Sequence, residues 1–247
     1  IKEDYLRILR YLRFFINYSN KSHNPDTIKT LKINIDGISK LSKERLLDEL
    51  KKIIKINTLK KLSKDKISLD LILSIFPELK NIKIFFKLNS INKSLIKEKD
   101  FIFLLSLMII DESDNADYFL YRFNLSKKDQ KRIKIIDNFF KEKVNSKTFT
   151  EKNLNKFFYY FGKEATIDVL NFKVIKSNKV DNYFRELIKH YENFMPPVMP
   201  VNADLLIKKY NISKGRQLGE KLKIIEETWV ENNFQISDYQ IERIIKN

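Results

Sequence analysis

The 247-residue chain contains only 4 Gly and 5 Pro, and it contains no cysteine. Sheet-rich folds need many tight turns, which Gly, Pro and Asn-Gly pairs supply. Their scarcity excludes a turn-rich β-fold and predicts an all-α protein, an array of many helices with no sizeable sheet. The lack of cysteine excludes disulfides and thiolate metal sites. The two histidines, His23 and His190, are far apart in sequence, which disfavours a histidine-rich metal site.

Long apolar runs are also lacking. The longest extends from Phe101 to Ile110 and is interrupted by Ser106. Because it is too short to span a bilayer, we interpret it as a buried helix. No signal peptide is visible, so the predicted location is cytoplasmic and no membrane partner is expected. The first residue is Ile rather than Met, and we therefore expect a fragment or a processed product.

Positive charge is abundant. The chain has 48 Lys and Arg against 32 Asp and Glu, a formal net charge of +16. This surplus favours a polyanionic partner, usually a nucleic acid, with a solvated lysine-rich surface as the alternative. Near the end of the chain, the turn at residues 213–216 is predicted to open a helix, and helix N-termini suit phosphates. The predicted RNA-binding residues are Lys208, Lys209, Lys214 and Arg216.

Helical periodicity recurs along almost the whole chain. Asn24 and Ser42 are predicted N-caps of two early helices. Thr150 is predicted to cap a later helix that ends at Gly162. A first helix is predicted over about residues 3–18, with an apolar stripe formed by Tyr5, Ile8, Leu9, Leu12, Phe15 and Ile16.

A polar face lies opposite that stripe and carries Glu3, Asp4, Arg7 and Arg10. A carboxylate accepts a hydrogen bond from an exocyclic amine, and a guanidinium one turn later donates to the neighbouring ring nitrogen. Cytosine and adenine present this edge, whereas guanine and uracil present a carbonyl and a ring N–H. Asp4 and Arg7 can therefore select C and A, with Glu3 placed to hold the guanidinium. Ordinary surface salt bridges are the alternative.

The stretch at residues 1–14 resembles the neck motif of class II CCA-adding enzymes and bacterial poly(A) polymerases. The family pattern is Glu-Asp-x-x-Arg-x-x-Arg followed by Arg-Phe, and the family commonly has Pro where this chain has Tyr5. In that family the Asp and the first Arg form a template that pairs with the incoming CTP or ATP. The resemblance places this template on Asp4 and Arg7, with Glu3 and Arg10 as supports.

Residues 41–50 resemble the family's next neck motif, Ser-x-Glu-Arg-[Ile/Leu]-x-x-Glu-Leu. Its Arg and Glu brace the template helix without needing to touch the nucleotide. The resemblance places them on Arg45 and Glu49.

Two stretches resemble the family's tail. Residues 195–206 match its Pro-rich entry, with Ala203 where the family usually has Gly, and residues 215–222 match its Gly-containing turn. The middle of the chain is matched only by helical character. The resemblance implies a neck over residues 1–60 with the nucleobase-template helix, a helical body over 61–180 and a tRNA-binding tail over 181–247.

The family's catalytic head carries a Gly-rich phosphate loop and an Asp-x-Asp pair that binds two divalent metals. Neither pattern is present in the sequence, and we interpret the acidic stretch at residues 111–117 as a solvated loop. The chain is therefore predicted to hold no catalytic residue and to bind no metal or cofactor by itself. We expect Mg²⁺ in a missing N-terminal head, and we expect this chain alone to be inactive.

The resemblance implies the nucleobase-selecting and tRNA-binding helical portion of a CCA-adding tRNA nucleotidyltransferase. Its expected partners are tRNA, CTP, ATP and the missing head. Two alternatives stay open: a poly(A) polymerase of the same family, and a non-enzymatic helical RNA-binding protein that lacks the head.

Overall fold

The structure, a computed structural model, describes residues 3–142, 148–179 and 181–246. These residues form 14 α-helices and no strand, so the predicted all-α fold is confirmed. Two compact units divide the chain: residues 1–142 with 168–184, and residues 143–167 with 185–247. The finer division into neck, body and tail stays a prediction.

Nine helices and two short 3-10 turns, Ile35–Lys40 and Ile82–Phe86, come first along the chain and belong to the first unit. The helices are α1 (Leu6–Tyr18), α2 (Pro25–Asn34), α3 (Lys43–Ile53), α4 (Ile56–Leu62), α5 (Lys66–Ile75), α6 (Ser90–Lys97), α7 (Phe101–Ile109), α8 (Asn115–Arg122) and α9 (Lys127–Lys141).

The remaining helices are α10 (Glu151–Ser177), α11 (Asn182–Asn193), α12 (Ala203–Tyr210), α13 (Arg216–Glu231) and α14 (Asp238–Lys246). Helix α10 is interrupted at Gly162, whose φ of 81° and ψ of 179° are not helical. The predicted stop at Gly162 is therefore a local break, after which helical backbone resumes.

Apolar periodicity explains which helix faces form the cores. In α1 the side chains of Ile8, Leu9 and Leu12 are completely buried, as the predicted stripe requires. Helix α7 is buried along almost its whole length, which confirms the interpretation of the longest apolar run. A separate core in the second unit is formed by Val201, Leu206, Leu218, Ile225 and Ile241.

Both early N-cap predictions are confirmed. The Asn24 side chain accepts hydrogen bonds from the backbone N–H groups of Asp26 and Thr27, at 2.9 and 3.1 Å. The Ser42 hydroxyl accepts from the backbone N–H of Arg45 at 3.4 Å. Within the described ranges, no helix combines the length and apolar character needed to cross a membrane.

Candidate functional site

The predicted template lies where α1 begins. The helix starts at Leu6 rather than near Glu3, so Asp4 precedes it. One carboxylate oxygen of Asp4 accepts a hydrogen bond from the Leu6 N–H at 3.0 Å, and the Asp4 carbonyl accepts from the Arg7 N–H at 3.1 Å. Asp4 thus satisfies N–H groups that a helix start leaves unpaired, and its side chain is fixed against α1.

The second carboxylate oxygen of Asp4 binds Arg45 of α3, whose Nη2 lies 3.0 Å away. The hydrogen bond from Leu6, together with the charges of Arg45 and Arg10, holds the pKa of Asp4 below its ordinary value. The Asp4 side chain is 24% exposed. An ionised acceptor that solvent can reach is therefore held between the start of α1 and the first turn of α3.

The Arg7 side chain makes a different contact. Its Nη1 lies 3.2 Å from Glu3, and the two side chains are 54% and 82% exposed. The contact between Glu3 and Arg7 is the one that their spacing predicts. Within the part of the chain that the structure describes, no hydrogen bond or ion pair joins the side chains of Arg7 and Asp4. An exposed pair of this kind holds a guanidinium only weakly, so the Arg7 donors are accessible.

Glu49 is the centre of a buried ion-pair cluster. Its side chain is 3% exposed and accepts from Arg13 Nε and Lys52 Nζ, both at 2.9 Å, while Arg10 Nε lies 3.9 Å away. Burial alone raises the pKa of Glu49, but the hydrogen bonds from Lys52 and Arg13 outweigh it and hold that pKa below its ordinary value. The cluster therefore ties α1 to α3 through a charged carboxylate.

Three features of this region were not predicted. Arg13, part of the Arg-Phe that closes the first motif, is a principal partner of Glu49, and its guanidinium also lies 4.3 Å from the centre of the Phe14 ring. The Tyr5 ring packs directly on Gly37, where a Cβ would overlap it. His23 forms a buried network with Asp65. None of the contacts with Glu49, Gly37 and Asp65 has a local signal in the sequence, because the two partners lie on different segments of the chain.

The four predicted RNA-binding residues lie at the end of α12 and the start of α13, and all are exposed. Arg216 forms an i,i+4 ion pair with Glu220 at 2.8 Å, and Lys209 lies 3.2 Å from Asp238. Gly215 precedes α13 with a φ of 151° and supplies no side-chain cap. The helix start that the sequence predicted at this turn is present, and the RNA contacts themselves stay a prediction.

The carboxylates of the acidic stretch at residues 111–117 form ion pairs with lysines. Asp111 binds Lys80 at 3.0 Å, and Lys141 binds Asp117 at 2.9 Å. Among the residues that the structure covers, no group of three or more His, Asp or Glu side chains is arranged to hold a metal ion.

Comparison with known proteins identifies relatives by sequence. No family model matches the chain. It is 27% identical over 260 residues to human CCA tRNA nucleotidyltransferase 1, mitochondrial, an alignment that covers 100% of this chain and 56% of the human protein. The mouse protein of the same name is 26% identical over 267 residues, with the same coverage. The zebrafish protein is 43% identical over 56 residues, 22% of this chain.

These matches indicate a family relation. The chain is related along its full length to the CCA-adding tRNA nucleotidyltransferases, which confirms the resemblance seen in the sequence. It spans a little over half of the human and mouse relatives, 56% of each. The names of these relatives place them in mitochondria, and the predicted cytoplasmic location of this chain stays a prediction.

Proposed function

We propose that this chain is the nucleobase-selecting and tRNA-binding helical portion of a CCA-adding tRNA nucleotidyltransferase. The attachment of Asp4 carries the proposal: its carboxylate is fixed by Leu6 and Arg45 yet remains partly exposed, one helical turn from the exposed Arg7. Catalysis belongs to a head outside this chain. The acidic residues at 111–117 are paired with lysines and do not fit a Mg²⁺ site.

Base selection follows from hydrogen-bonding capacity. An ionised carboxylate offers about four lone-pair sites, and Leu6 and Arg45 each use one at Asp4. A lone pair therefore remains to accept from the exocyclic amine of CTP or ATP. Arg7 has five N–H donors, and its side chain forms an ion pair with Glu3, so its guanidinium can still donate to the adjacent ring nitrogen. UTP and GTP would instead place a carbonyl oxygen against the carboxylate and an N–H against the guanidinium.

The Glu49 cluster supports the same proposal by fixing orientation. Arg10 and Arg13 extend from α1 to one buried carboxylate on α3, and Arg45 extends from α3 back to Asp4. A template must be held within a fraction of an ångström to discriminate between bases. We propose that Arg45 and Glu49 act as positioning residues that keep Asp4 and Arg7 in register.

The test is nucleotide incorporation by an active enzyme that contains this chain. Asp4→Ala and Arg7→Ala should each lower the preference for CTP and ATP over UTP and GTP by about 10- to 100-fold, since a wrong base leaves buried polar groups unpaired. Asp26→Ala and Arg185→Ala alter exposed residues of the same types and serve as controls. An unchanged preference in both template variants refutes base selection by this pair.

The same assay separates the alternatives. The names of the relatives favour CCA addition, which requires CTP incorporation; a poly(A) polymerase would incorporate ATP alone. The RNA-binding part is tested separately by titrating a labelled tRNA transcript at several salt concentrations, where phosphate contacts predict a steep loss of affinity. Absence of binding at low salt would contradict it.

A further inference from the structure

A groove of about 620 Å³ lies at the C-terminal end of α1 in the first unit. The loop that follows α1, the end of α4 and the beginning of α5 surround it. Its apolar wall includes Phe15, and its polar lining includes His23, Asp65 and four lysines.

Lysines dominate the charge of this groove. Lys21, Lys64 and Lys66 are exposed, and none of them forms an ion pair with a carboxylate within the described ranges. Lys61 donates to the backbone carbonyl of Asn17 at the end of α1. Among the described residues that line the groove, Asp65 is the one carboxylate, so the positive charge is in clear excess.

The carboxylate of Asp65 is already hydrogen-bonded on the inner side of the groove. Its carboxylate contacts His23 Nε2 at 3.0 Å and accepts from the Ser68 N–H at 3.0 Å, which makes it the N-cap of α5. Hydrogen bonds from Ser68 and His23 overcome the effect of burial and hold the pKa of Asp65 below its ordinary value. This charge stabilises the fold locally and offsets only a part of the lysine charge.

His23 fixes the walls of the groove. Its side chain is 4% exposed, its ring stacks on Phe15 with centroids 3.6 Å apart, and its Nδ1 lies 3.0 Å from the Tyr11 hydroxyl. His23 therefore joins α1, the following loop and α5. Lys64 and Lys66 flank Asp65 in the chain, so the network that holds Asp65 also sets where these lysines emerge. Ligand sites gain affinity when their charges are fixed in advance in this way.

We propose that this groove binds the phosphodiester backbone of RNA, as a contact separate from the Asp4–Arg7 template and from the four tail residues. Lysine ammonium groups are compact charges suited to phosphates, and in the described lining of the groove they outnumber the carboxylate of Asp65. The proposal rests on the RNA-binding part of the proposed function. It also explains why lysines from two stretches of the chain, residue 21 and residues 61–66, line one concave surface.

The decisive experiment compares two triple variants of the full chain that lose the same charge. Lys21, Lys64 and Lys66 are changed to Gln in one. In the control, Lys29, Lys83 and Lys97 are changed to Gln; these are also exposed, lie in the first unit and do not line the groove. Binding of a fluorescently labelled tRNA transcript is measured by anisotropy over a range of salt concentrations.

The groove variant should bind about tenfold more weakly than the control variant, and the slope of log affinity against log salt should fall by about 2, since two to three phosphate contacts are lost. If both variants bind RNA equally, the groove proposal is wrong while RNA binding stands. If the unaltered chain binds no RNA at low salt, the groove proposal and the RNA-binding function fail together.

A second measurement needs no substitution and is independent of any folding defect. The unaltered chain is acylated on lysine with and without the tRNA transcript, and each site is quantified by mass spectrometry. RNA should protect Lys21, Lys64 and Lys66 several-fold more than the internal references Lys29, Lys83 and Lys97. Equal protection of the two sets overturns the proposal.

Discussion

Glu49 in α3 and Glu220 in α13 each form an ion pair with an arginine, but in different settings. Glu49 is 3% exposed and binds Arg13, which lies 36 residues away in the chain. Glu220 is 58% exposed and binds Arg216 one helical turn away. The first pair joins two helices, whereas the second lies within a single helix.

The difference shows how charge is used in the two regions. An exposed i,i+4 pair contributes a few tenths of a kcal/mol and constrains only its own helix. A buried carboxylate with several cationic partners is costly to leave unpaired, so it restricts where its partners can be. Long-range ion pairs therefore constrain the start of the chain, as the proposed base discrimination would require. The predicted RNA-binding residues at α12 and α13 offer accessible charge instead.

The largest expected effect comes from Glu49→Ala. This change leaves Arg13 without its buried partner, and we expect it to lower the free energy of unfolding by about 2–3 kcal/mol. Glu220→Ala, the matched change in an exposed pair, should cost less than about 0.5 kcal/mol. Urea denaturation followed by circular dichroism measures both. Similar losses in the two variants would remove the distinction between the regions.

Two glycines, one in each region, test the same comparison. A Cβ at Gly37 would overlap the Tyr5 ring beside Asp4, whereas a Cβ at Gly219 in α13 meets no atom within 4 Å. Gly37→Ala should therefore destabilise the chain by about 1–2 kcal/mol through overpacking. Gly219→Ala should stabilise it by up to about 1 kcal/mol, because Ala is the better helix former.

Thermal unfolding of both glycine variants provides the measurement. Gly37→Ala in an active enzyme should also weaken base preference, because Tyr5 is the neighbour of Asp4. A Gly37→Ala variant as stable as the unaltered chain would show that the Tyr5 ring is free to move.

The sequence was sufficient for features that depend on local pattern. Scarce Gly and Pro predicted the all-α fold, the 3.6-residue period predicted the buried side of α1, and side-chain chemistry predicted the caps at Asn24 and Ser42. These features depend on residues within about one helical turn of each other. Local pattern also identified Glu3 as the partner of Arg7.

Tertiary contacts could not be predicted from local sequence patterns. Arg13 and Glu49 are 36 residues apart, and His23 and Asp65 are 42 apart, so neither pair leaves a periodic signal. The start of α1 was placed too early because Asp4 precedes the helix and accepts from the Leu6 N–H instead of extending the helix. The helix after Gly162 was missed because a glycine in the sequence is a common stop signal for a helix, whereas here the backbone leaves the helical conformation at Gly162 alone and then resumes it.

Acid should remove the stabilisation that the carboxylates of Glu49 and Asp65 provide. The folded-state pKa values of Glu49 and Asp65 are both lowered, by hydrogen bonds that outweigh burial. Their contributions are therefore fully present above the ordinary carboxyl range and are lost as pH falls through the folded-state values. Urea midpoints measured from pH 6 down to pH 3, at about one-unit steps, should decline, and Glu49→Gln and Asp65→Asn should each flatten that decline.

Asp137 provides a control of opposite sign. Burial raises its pKa despite the hydrogen bond from Lys141, so its contribution is most favourable at low pH and declines as pH rises through the ordinary carboxyl range. Asp137→Asn should therefore steepen the loss of stability in acid. A variant with the same pH profile as the unaltered chain would contradict the assigned direction.

The smallest effects are expected for single changes among the four predicted RNA-binding residues of α12 and α13. Lys214→Gln or Arg216→Gln should weaken binding of a tRNA transcript by less than about threefold at moderate salt, because each removes one of several phosphate contacts. Changing all four residues to Gln should give an approximately additive loss, measured by the same anisotropy titration. If one substitution alone abolished binding, these residues would form a fixed site like the Glu49 cluster. The two regions would then no longer differ in how they use charge.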